Sequence, residues 1–372
     1  MKTHALYLTT DAVTGTGGGQ AVVRHEFAAL QSLPAEVTVL GSQGRPPAYA
    51  GLDIPFLDDY FAAHAIDGAA PLPNLIHLYS GTWTMALRTV KVPFRSTLGG
   101  PVISYTVPFH NRRETIAEWE LANGKDSYPF QHIKDPALWR LFSNGMREAR
   151  KIIVPSNHSK QAILEDDVLG DDAAAFEKKI IVIPHGFDIP DRVQSFPESF
   201  RVGYLGSVGT DKGLRYLVAA WGKLNLADAT LVLAGSGTEH LGPFILKHAG
   251  HGRFELLGRV PDVNAFMSSL SVYVQPSVTE SFGIEILEAM GNGRPVLASD
   301  GAGASELLPE QRFVFAKRDV NALAARIEYL HTHPEDHEII GLRCWEASRK
   351  YAWPHIEGRY QALWRKLLGR GA

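Results

Sequence analysis

Residues 276–296 read PSVTESFGIEILEAMGNGRPV and carry the most informative pattern in the chain. The segment follows an apolar run and begins with polar residues typical of a loop. Apolar residues at helical spacing come next, and a second apolar run begins at its end. The spacing of Ile284, Leu287 and Met290 predicts a helix with one face packed on a core. A strand, a loop, a helix and a strand in this order are typical of an α/β fold with a parallel sheet.

The same alternation of short apolar runs and longer helical patterns recurs along the chain in two series. The runs of the first series occupy residues 5–8, 37–40, 75–78, 102–105, 152–154 and 180–183. Those of the second occupy residues 201–205, 230–234, 254–257, 272–274 and 295–298. Between the series, residues 184–190 contain two prolines and a glycine, which favour neither a strand nor a helix. We therefore predict two domains of stacked βαβ units, residues 1–186 and 187–354.

The chain ends in an amphipathic helical pattern over residues 356–368. Its apolar residues recur at helical spacing, so this helix has a face to bury. They are Tyr360, Leu363, Trp364 and Leu367. Burial within the second domain is the plain interpretation, but we expect residues 355–372 to pack back onto the first domain, guided by the family resemblance described below.

Composition and charge narrow the class of protein. The 372 residues, 45% hydrophobic and 21% charged, fit a globular protein with more than one core. A net charge of -3 removes any global attraction to nucleic acid or to an anionic membrane. Cys344 is the single cysteine, the first residues lack a signal-peptide pattern, and no apolar run is long enough to span a bilayer. We expect a cytoplasmic protein, at most peripheral to the membrane, that is a monomer or a homodimer.

A glycine-rich turn, GSVGTDKG at residues 206–213, directly follows an apolar run and precedes the helical stretch 214–224. Backbone N–H groups and the dipole at a helix N-terminus favour phosphate, and Lys212 adds a full positive charge. A tight turn with a solvated lysine is the alternative. Taken alone the turn is a weak signal, because glycine-rich turns are common in α/β proteins.

Two glutamates follow in the segment 276–296. Glu280 lies in the loop at the carboxyl edge of the predicted sheet, where open α/β folds bind ligands, and Glu288 lies on the helix that follows, on a different face from its apolar residues. Carboxylates accept hydrogen bonds from vicinal hydroxyls, so two glutamates suit two hydroxylated rings, a sugar and a ribose. The alternative treats both as solvated charges, which is our interpretation of the neighbouring Glu285.

These residues resemble the retaining family 4 glycosyltransferases of GT-B fold, whose hallmark is two glutamates separated by seven residues in a Pro-Ser-x-x-Glu-x-Phe-Gly context. Glu280 and Glu288 match that hallmark. Further matching segments, all between residues 150 and 310, are KG at 212–213, GSG at 235–237, GRVP at 258–261, GRPV at 293–296 and AGASELL at 302–308. The resemblance implies two Rossmann-like parallel-sheet domains facing each other across a cleft, the first binding the acceptor and the second a nucleotide-sugar donor.

The resemblance also implies roles for particular residues. Glu280 would contact hydroxyls of the donor sugar, Glu288 the ribose and Lys212 the diphosphate, while the backbone near Val260 would contact the base. The remaining donor-binding residues of this segment, whose backbone amides would contact the sugar and the phosphates, are Ser281, Phe282, Gly283 and Ile284.

One position departs from the family pattern. Many relatives have arginine where this chain has Ser207, so that an arginine and a lysine together hold the diphosphate. A serine hydroxyl can donate a hydrogen bond to phosphate but supplies no charge. Arg259 is the candidate for the missing cation, and an exposed structural arginine is the equal alternative.

The first predicted domain carries two further candidates. The segment GTGGGQ at residues 15–20 fits the glycine-rich loop that these enzymes place near the donor phosphates, and Gly18 and Gly19 would let the backbone approach closely. A surface turn is the alternative. His110 follows the run 102–105 and resembles the family's cleft histidine, so we expect it to contact the donor sugar rather than to be a hydrogen-bonded loop histidine.

The acceptor region is expected at residues 112–147, where aromatic side chains alternate with charged ones. The aromatic residues are Trp119, Tyr128, Phe130, Trp139 and Phe142. Aromatic faces stack on sugars and on bases, so they do not choose between carbohydrate and nucleic acid. The basic residues Arg88, Lys91, Arg95, Arg112 and Arg113 leave an anionic or nucleic-acid acceptor open, although we do not favour it.

The resemblance implies a retaining, metal-independent hexosyltransferase with Lys212, Glu280 and His110 as catalytic residues, and this is the function that we predict. The donor is expected to be a UDP-sugar, with a GDP-sugar as the alternative, and the acceptor is a hydroxyl of a glycan, a lipid, a small metabolite or a hydroxylated nucleic acid. We expect neither a metal ion nor a cofactor, since no Asp-x-Asp motif follows a predicted strand. The alternatives are a GT-B-type nucleotide-sugar epimerase or hydrolase and a noncatalytic nucleotide-sugar-binding module.

Overall fold

The computed structural model describes residues 3–9, 18–41, 75–79, 102–107, 111–128, 146, 149–166, 173–249 and 252–369. The chain forms two compact units. The first comprises Met1–Phe109, Pro129–His185 and Trp353–Ala372, and the second comprises His110–Tyr128 and Gly186–Ala352. This division differs from the predicted domains, residues 1–186 with 355–372 and residues 187–354, in that residues 110–128 group with the second unit.

Each unit contains a six-stranded parallel sheet. The strands of the first unit are β1 Thr3–Thr9, β2 Ala35–Gly41, β3 Leu75–Tyr79, β4 Val102–Thr106, β5 Lys151–Val154 and β6 Ile180–Val182. They form a sheet with the order β2-β1-β3-β4-β5-β6. The strands of the second unit are β7 Phe200–Leu205, β8 Ala229–Ala234, β9 Arg253–Gly258, β10 Val272–Gln275, β11 Val296–Ser299 and β12 Val314–Phe315. They form a sheet with the order β12-β11-β10-β7-β8-β9.

Helices connect the strands, as a parallel sheet requires. In the described residues they are α1 Gly18–Gln31, α2 Arg112–Asn123, α3 Asn157–Glu165, α4 Ala173–Glu177, α5 Leu214–Leu224, α6 Gly242–Ala249, α7 Val263–Ser268, α8 Ile284–Gly291, α9 Val320–Thr332, α10 His337–Ser348 and α11 Trp353–Leu367. Among the described helices, none has both the length and the apolar character needed to cross a membrane.

The strands and helices bury the residues that their patterns predict. All four residues of β10, VYVQ, are buried, which is typical of a parallel strand covered on both faces. Helix α5 buries Leu214, Leu217, Val218 and Trp221, a stripe at intervals of three and four residues.

Helix α11 belongs to the first unit, where its apolar face packs beside α1. The ring of His25 on α1 stacks on Trp353 with centroids 4.0 Å apart, and His25 Nδ1 lies 2.6 Å from Glu357 Oε1. Deeper in the unit, Trp364 Nε1 donates to Ser104 Oγ at 3.1 Å. Both a buried apolar stripe and polar contacts therefore hold the C-terminal helix on the first unit.

Candidate functional site

The sheet of the second unit reverses its direction of growth between β7 and β10. From β7 the chain continues to β8 on one side, whereas β10 and β11 lie on the other side. The loops that leave the carboxyl ends of these two central strands are residues 206–213 and residues 276–283. Open α/β sheets bind ligands outside the carboxyl ends of their strands at such a reversal. The topology therefore brings the two loops singled out in the sequence to one edge of the sheet.

The two loops contact each other through their backbones. The N–H of Val278 donates to the carbonyl oxygen of Asp211 at 2.7 Å. Gly213 has a φ of 71°, and a Cβ at this position would lie 2.0 Å from the carbonyl oxygen of Pro276. Only glycine permits both this backbone conformation and this approach. The turn that carries Lys212 is thereby held against the end of β10.

The backbone of Glu280 is fixed from the opposite side. Its N–H donates to the carbonyl of Gly301 at 2.9 Å, and its carbonyl accepts from the N–H of Gly303 at 3.0 Å. This short parallel bridge extends the β10–β11 pairing beyond the strand ends. Glu280 thus occupies a position defined by the sheet although it lies in a loop.

Lys212 and Glu280 form an ion pair in which the ammonium group donates a hydrogen bond to the carboxylate. Their side chains are 19% and 12% exposed, so the pair is largely shielded from water. Burial by itself lowers the pKa of Lys212, but the charges of Glu280 and Asp211 outweigh burial and raise this pKa above its ordinary value. Lys212 therefore carries a positive charge at any physiological pH.

Two further carboxyl groups lie on α8. Burial raises the pKa of Glu285 to about 7, and the negative charge of Glu280 adds to the effect. Burial raises the pKa of Glu288 to about 8, with further contributions from Glu285 and Asp188. A neutral carboxyl group both donates and accepts hydrogen bonds. The interpretation of Glu285 as a fully solvated charge is wrong, because the residue is half-buried and close enough to Glu280 for that carboxylate to raise its pKa.

Two buried tyrosines lie beneath the loops. The hydroxyl of Tyr204 donates to the carbonyl of Ser207 at 2.8 Å, and the hydroxyl of Tyr273 donates to the amide oxygen of Gln275. Gln275 in turn donates to Ser277 Oγ at 2.8 Å. Burial raises the pKa of both tyrosines above the ordinary value, so both remain hydrogen-bond donors. Sequence reasoning missed them, because a tyrosine inside an apolar strand pattern carries no mark of its contact with a loop.

The remaining residues of the Glu280 loop lead directly into α8. Gly283 precedes the helix with a φ of 88°, and the carbonyl of Phe282 accepts from the N–H of Ala304 at 2.7 Å. Ser281 and Phe282 are buried, and Ile284 begins the helix. The N-terminus of α8 and Glu280 therefore belong to one short segment, as the order of residues predicts.

Three further residues predicted to bind the donor lie in the segments that follow β7 and β9. Ser207 is exposed and follows β7 in the same loop as Lys212. Arg259 is exposed and Val260 is half-buried after β9; within the described part of the chain, Arg259 makes no hydrogen bond or ion pair. The roles of Ser207, Arg259 and Val260 in donor binding stay predictions.

The candidates of the first predicted domain have different outcomes. The expected start of this helix is Ala21, but α1 begins three residues earlier. Gly18 and Gly19 are therefore its first residues and not part of the loop before it. Glycine is tolerated there, since the first N–H groups of a helix have no intrahelical partner. The rest of the glycine-rich segment, residues 15–17, and His110 lie outside the described residues.

The segment expected to bind the acceptor begins next to Glu280. The N–H of Asn111 donates to Thr279 Oγ1 at 3.0 Å, and Asn111 Oδ1 caps α2 by accepting from the N–H of Glu114. Trp119 packs edge-on against Tyr128, with ring centroids 6.1 Å apart. Six further residues predicted for the acceptor region lie outside the described residues: Phe130, Trp139, Phe142, Arg88, Lys91 and Arg95.

A metal ion needs several convergent ligands. Within the residues that the structure describes, no group of three or more His, Cys, Asp or Glu side chains is arranged to hold one.

Comparison with known proteins shows the same organisation elsewhere. Residues 199–333 match the family model described as Glycosyl transferases group 1. The sulfoquinovosyl transferase of Arabidopsis thaliana is 30% identical over 162 residues, which are 42% of this chain and 31% of that protein. The 2-deoxystreptamine glucosyltransferase of Streptomyces kanamyceticus is 26% identical over 355 residues, which are 81% of this chain and 88% of that protein. The chain thus spans less than a third of the Arabidopsis protein and most of the Streptomyces one.

Two solved structures share the fold over nearly their whole length. Sucrose-phosphate synthase from Thermosynechococcus elongatus has a TM-score of 0.74 at 20% identity, covering 99% of this chain and 100% of that chain. HepE from Anabaena in complex with UDP-glucose has a TM-score of 0.70 at 18% identity, covering 97% and 99%. The chain shares the GT-B fold of these structures, and one domain within it matches the glycosyl transferases group 1 family. More particularly, the segment that matches the glycosyl transferases group 1 model, residues 199–333, contains Lys212, Glu280 and Glu288.

Proposed function

We propose that the protein transfers a hexose-type sugar from a nucleoside diphosphate donor to a hydroxyl group, with retention of anomeric configuration and without a metal ion. The observation that carries this proposal is the Lys212–Glu280 pair at the point of strand reversal in a glycosyl transferases group 1 domain. It combines a permanent cation, for a diphosphate, with a carboxylate, for sugar hydroxyls, at one sheet edge.

A UDP-sugar is the favoured donor. HepE from Anabaena, which shares the fold, is described in complex with UDP-glucose, and the Streptomyces relative is named a glucosyltransferase. A GDP-sugar is the alternative, because the base contacts expected near Val260 involve the backbone and do not choose between bases. The acceptor is a hydroxyl of a glycan, a lipid, a small metabolite or a hydroxylated nucleic acid.

The chemistry follows from the charges. During transfer the bond from C1 of the sugar to the diphosphate oxygen breaks, and C1 bonds to the acceptor oxygen on the same face of the ring. The acceptor proton leaves with the nucleoside diphosphate. Lys212 and the N–H groups at the start of α8 stabilise the charge that develops on the diphosphate. For this Lys212 exchanges the carboxylate of Glu280 for a phosphate oxygen, which frees Glu280 to accept hydrogen bonds from the sugar.

Glu288 and His110 complete the proposed site. A carboxyl group whose pKa is about 8 is mostly neutral at physiological pH, so Glu288 can donate a hydrogen bond to one ribose hydroxyl while accepting one from another. His110 is proposed to contact the donor sugar, and Arg259 to supply the cation that Ser207 does not.

The test measures release of nucleoside diphosphate from a panel of UDP- and GDP-sugars, with and without EDTA. We expect Lys212→Ala and Glu280→Ala each to lower turnover at least about tenfold, which corresponds to about 1.4 kcal/mol of transition-state stabilisation. Lys223→Ala is the matched lysine control, because Lys223 is exposed and, within the described part of the chain, its ammonium group donates only to the side chain of Asn321. Wild-type rates in both Lys212→Ala and Glu280→Ala would refute the assignment of the site. Loss of activity in EDTA would refute the metal-independent mechanism. NMR of the product anomer tests retention.

A further inference from the structure

A buried carboxylate holds α2 in the second unit. Glu118, in the middle of α2, is 1% exposed. It accepts hydrogen bonds from the guanidinium of Arg215 on α5, from the hydroxyl of Tyr216 at 3.2 Å and from Arg318 Nε at 2.6 Å. A carboxylate this deeply buried is retained in proteins only when it is paired.

Glu114, one turn earlier on α2, adds a second carboxylate. Lys317 Nζ lies 2.5 Å from its Oε1, and a guanidinium nitrogen of Arg318 lies 3.5 Å from its Oε2. We call Glu114, Glu118, Arg215, Lys317 and Arg318 the α2 charge cluster. Arg318 has a φ of 70°, a conformation that non-glycine residues adopt only when the surrounding contacts enforce it. The cluster therefore fixes the backbone of the segment before α9 as well as α2.

Charge rather than apolar burial attaches this helix. The buried residues of α2 are Arg112 and Glu118, and its Leu121 is 69% exposed. A surface helix in a globular protein normally presents an apolar stripe to the core, as α5 does. Because α2 lacks such a stripe, its position depends on the α2 charge cluster.

Both ends of the α2 segment lie beside the loops of the proposed donor site. At the N-terminal end, Asn111 donates to the hydroxyl of Thr279, which is fully buried and directly precedes Glu280. At the other end, burial raises the pKa of Tyr128 and the charge of Asp211, the neighbour of Lys212, adds to the effect. A shift of α2 would therefore be transmitted to the loop of Glu280 and to the turn of Lys212.

We propose that Glu118 is a positioning residue for turnover at the donor site. Through Arg215 and Arg318 it holds α2, so that Asn111 stays hydrogen-bonded to Thr279 and the loop of Glu280 keeps its geometry. This inference rests on the proposed function, because it assigns Glu118 an effect on that reaction. It does not require Glu118 to touch the donor or the acceptor.

The kinetic test compares Glu118→Gln, Thr279→Val and the double variant in nucleoside diphosphate release. Each single variant is expected to lower kcat at least about tenfold with a change in donor KM below about threefold. The kcat of the double variant is expected to lie within about twofold of the kcat of the slower single variant, because both substitutions disrupt the same Asn111–Thr279 contact. Additive losses, or a wild-type kcat in Glu118→Gln, would overturn the proposal. Glu328→Gln is the control, since Glu328 is exposed on α9 and makes no ion pair within the described residues.

Hydrogen exchange supplies a readout that does not depend on activity. In Glu118→Gln, the peptide covering residues 111–128 is expected to exchange at least about tenfold faster, while peptides from β8 keep the wild-type rate. Equal acceleration in both would mean that Glu118 only stabilises the unit, which overturns the positioning role. If Glu118→Gln does not fold, Arg318→Gln removes the 2.6 Å contact and takes its place in both tests. A wild-type protein that turns over no nucleotide sugar would refute the proposed function, whereas the exchange comparison would still decide whether Glu118 holds α2.

Discussion

Glu288→Gln should remove a pH-dependent loss of stability from the second unit. The pKa of Glu288 is about 8 against an ordinary 4.5, because burial and the neighbouring carboxylates disfavour its ionised form. At about 1.4 kcal/mol per pKa unit, this difference of about 3.5 units sets an upper bound of about 5 kcal/mol. Because the side chain is partly exposed, water reduces the measured value below this bound.

The sign follows from the protons bound in each state. Between about pH 4.5 and pH 8 the folded protein keeps a proton on Glu288 that the unfolded chain has lost, so wild-type stability falls as pH rises through this window. The contribution is fully present below the unfolded pKa and lost above the folded one. Glutamine cannot ionise, so the variant should match the wild type at low pH and be more stable than it at high pH.

Hydrogen exchange of β10 and β11 amides measures the free energy of unfolding of the second unit at about pH 5, 7 and 9, after correction for the intrinsic exchange rates. We expect wild type and Glu288→Gln to diverge progressively, with the variant more protected at the highest pH. Glu328→Gln, which removes an exposed carboxylate, should keep the wild-type pH profile. Parallel profiles for wild type and Glu288→Gln would refute the assignment of a half-buried, mostly neutral Glu288.

Three further predictions test the loops around the site. Gly213→Ala should destabilise the second unit by at least about 2 kcal/mol in urea unfolding, because the new Cβ would meet the backbone of Pro276 and the backbone has a positive φ. The control is Gly358→Ala on α11, where a Cβ meets open space, and this variant should have unchanged or higher stability. Glu285→Gln should flatten the pH dependence of UDP-glucose affinity: in the wild type, calorimetry should show weaker binding as pH rises through about 7, since ionised Glu285 adds negative charge beside the diphosphate. Ser207→Arg should leave UDP-glucose binding intact or tighten it by adding a cation to that loop, and abolished binding would contradict the placement of Ser207 near phosphate.

Local patterns in the sequence predict much of this protein. The apolar runs predict eleven of the twelve strands in the described residues, because a parallel strand buried on both faces needs a short continuous apolar run. They miss β12, which has only two residues. Gly213 and Gly283 mark two turns in which the backbone has a positive φ. Lys212 and Glu280 are charged residues of the loops that end at these glycines, and this position identifies them as candidates. These features depend on a few neighbouring residues, so they can be read without knowing where the rest of the chain lies.

Long-range packing determines the remainder. Glu285 lies one position after the predicted helix start and has no local sign of burial, yet it lies beside Glu280 because α8 begins directly at that loop. Helix α2 carries the charged pattern of a solvated helix, yet its Glu118 is buried by cations from residues about 100 and 200 positions away. Desolvation and ion pairing depend on which distant residues fold onto a site, and no periodicity within a segment encodes that information.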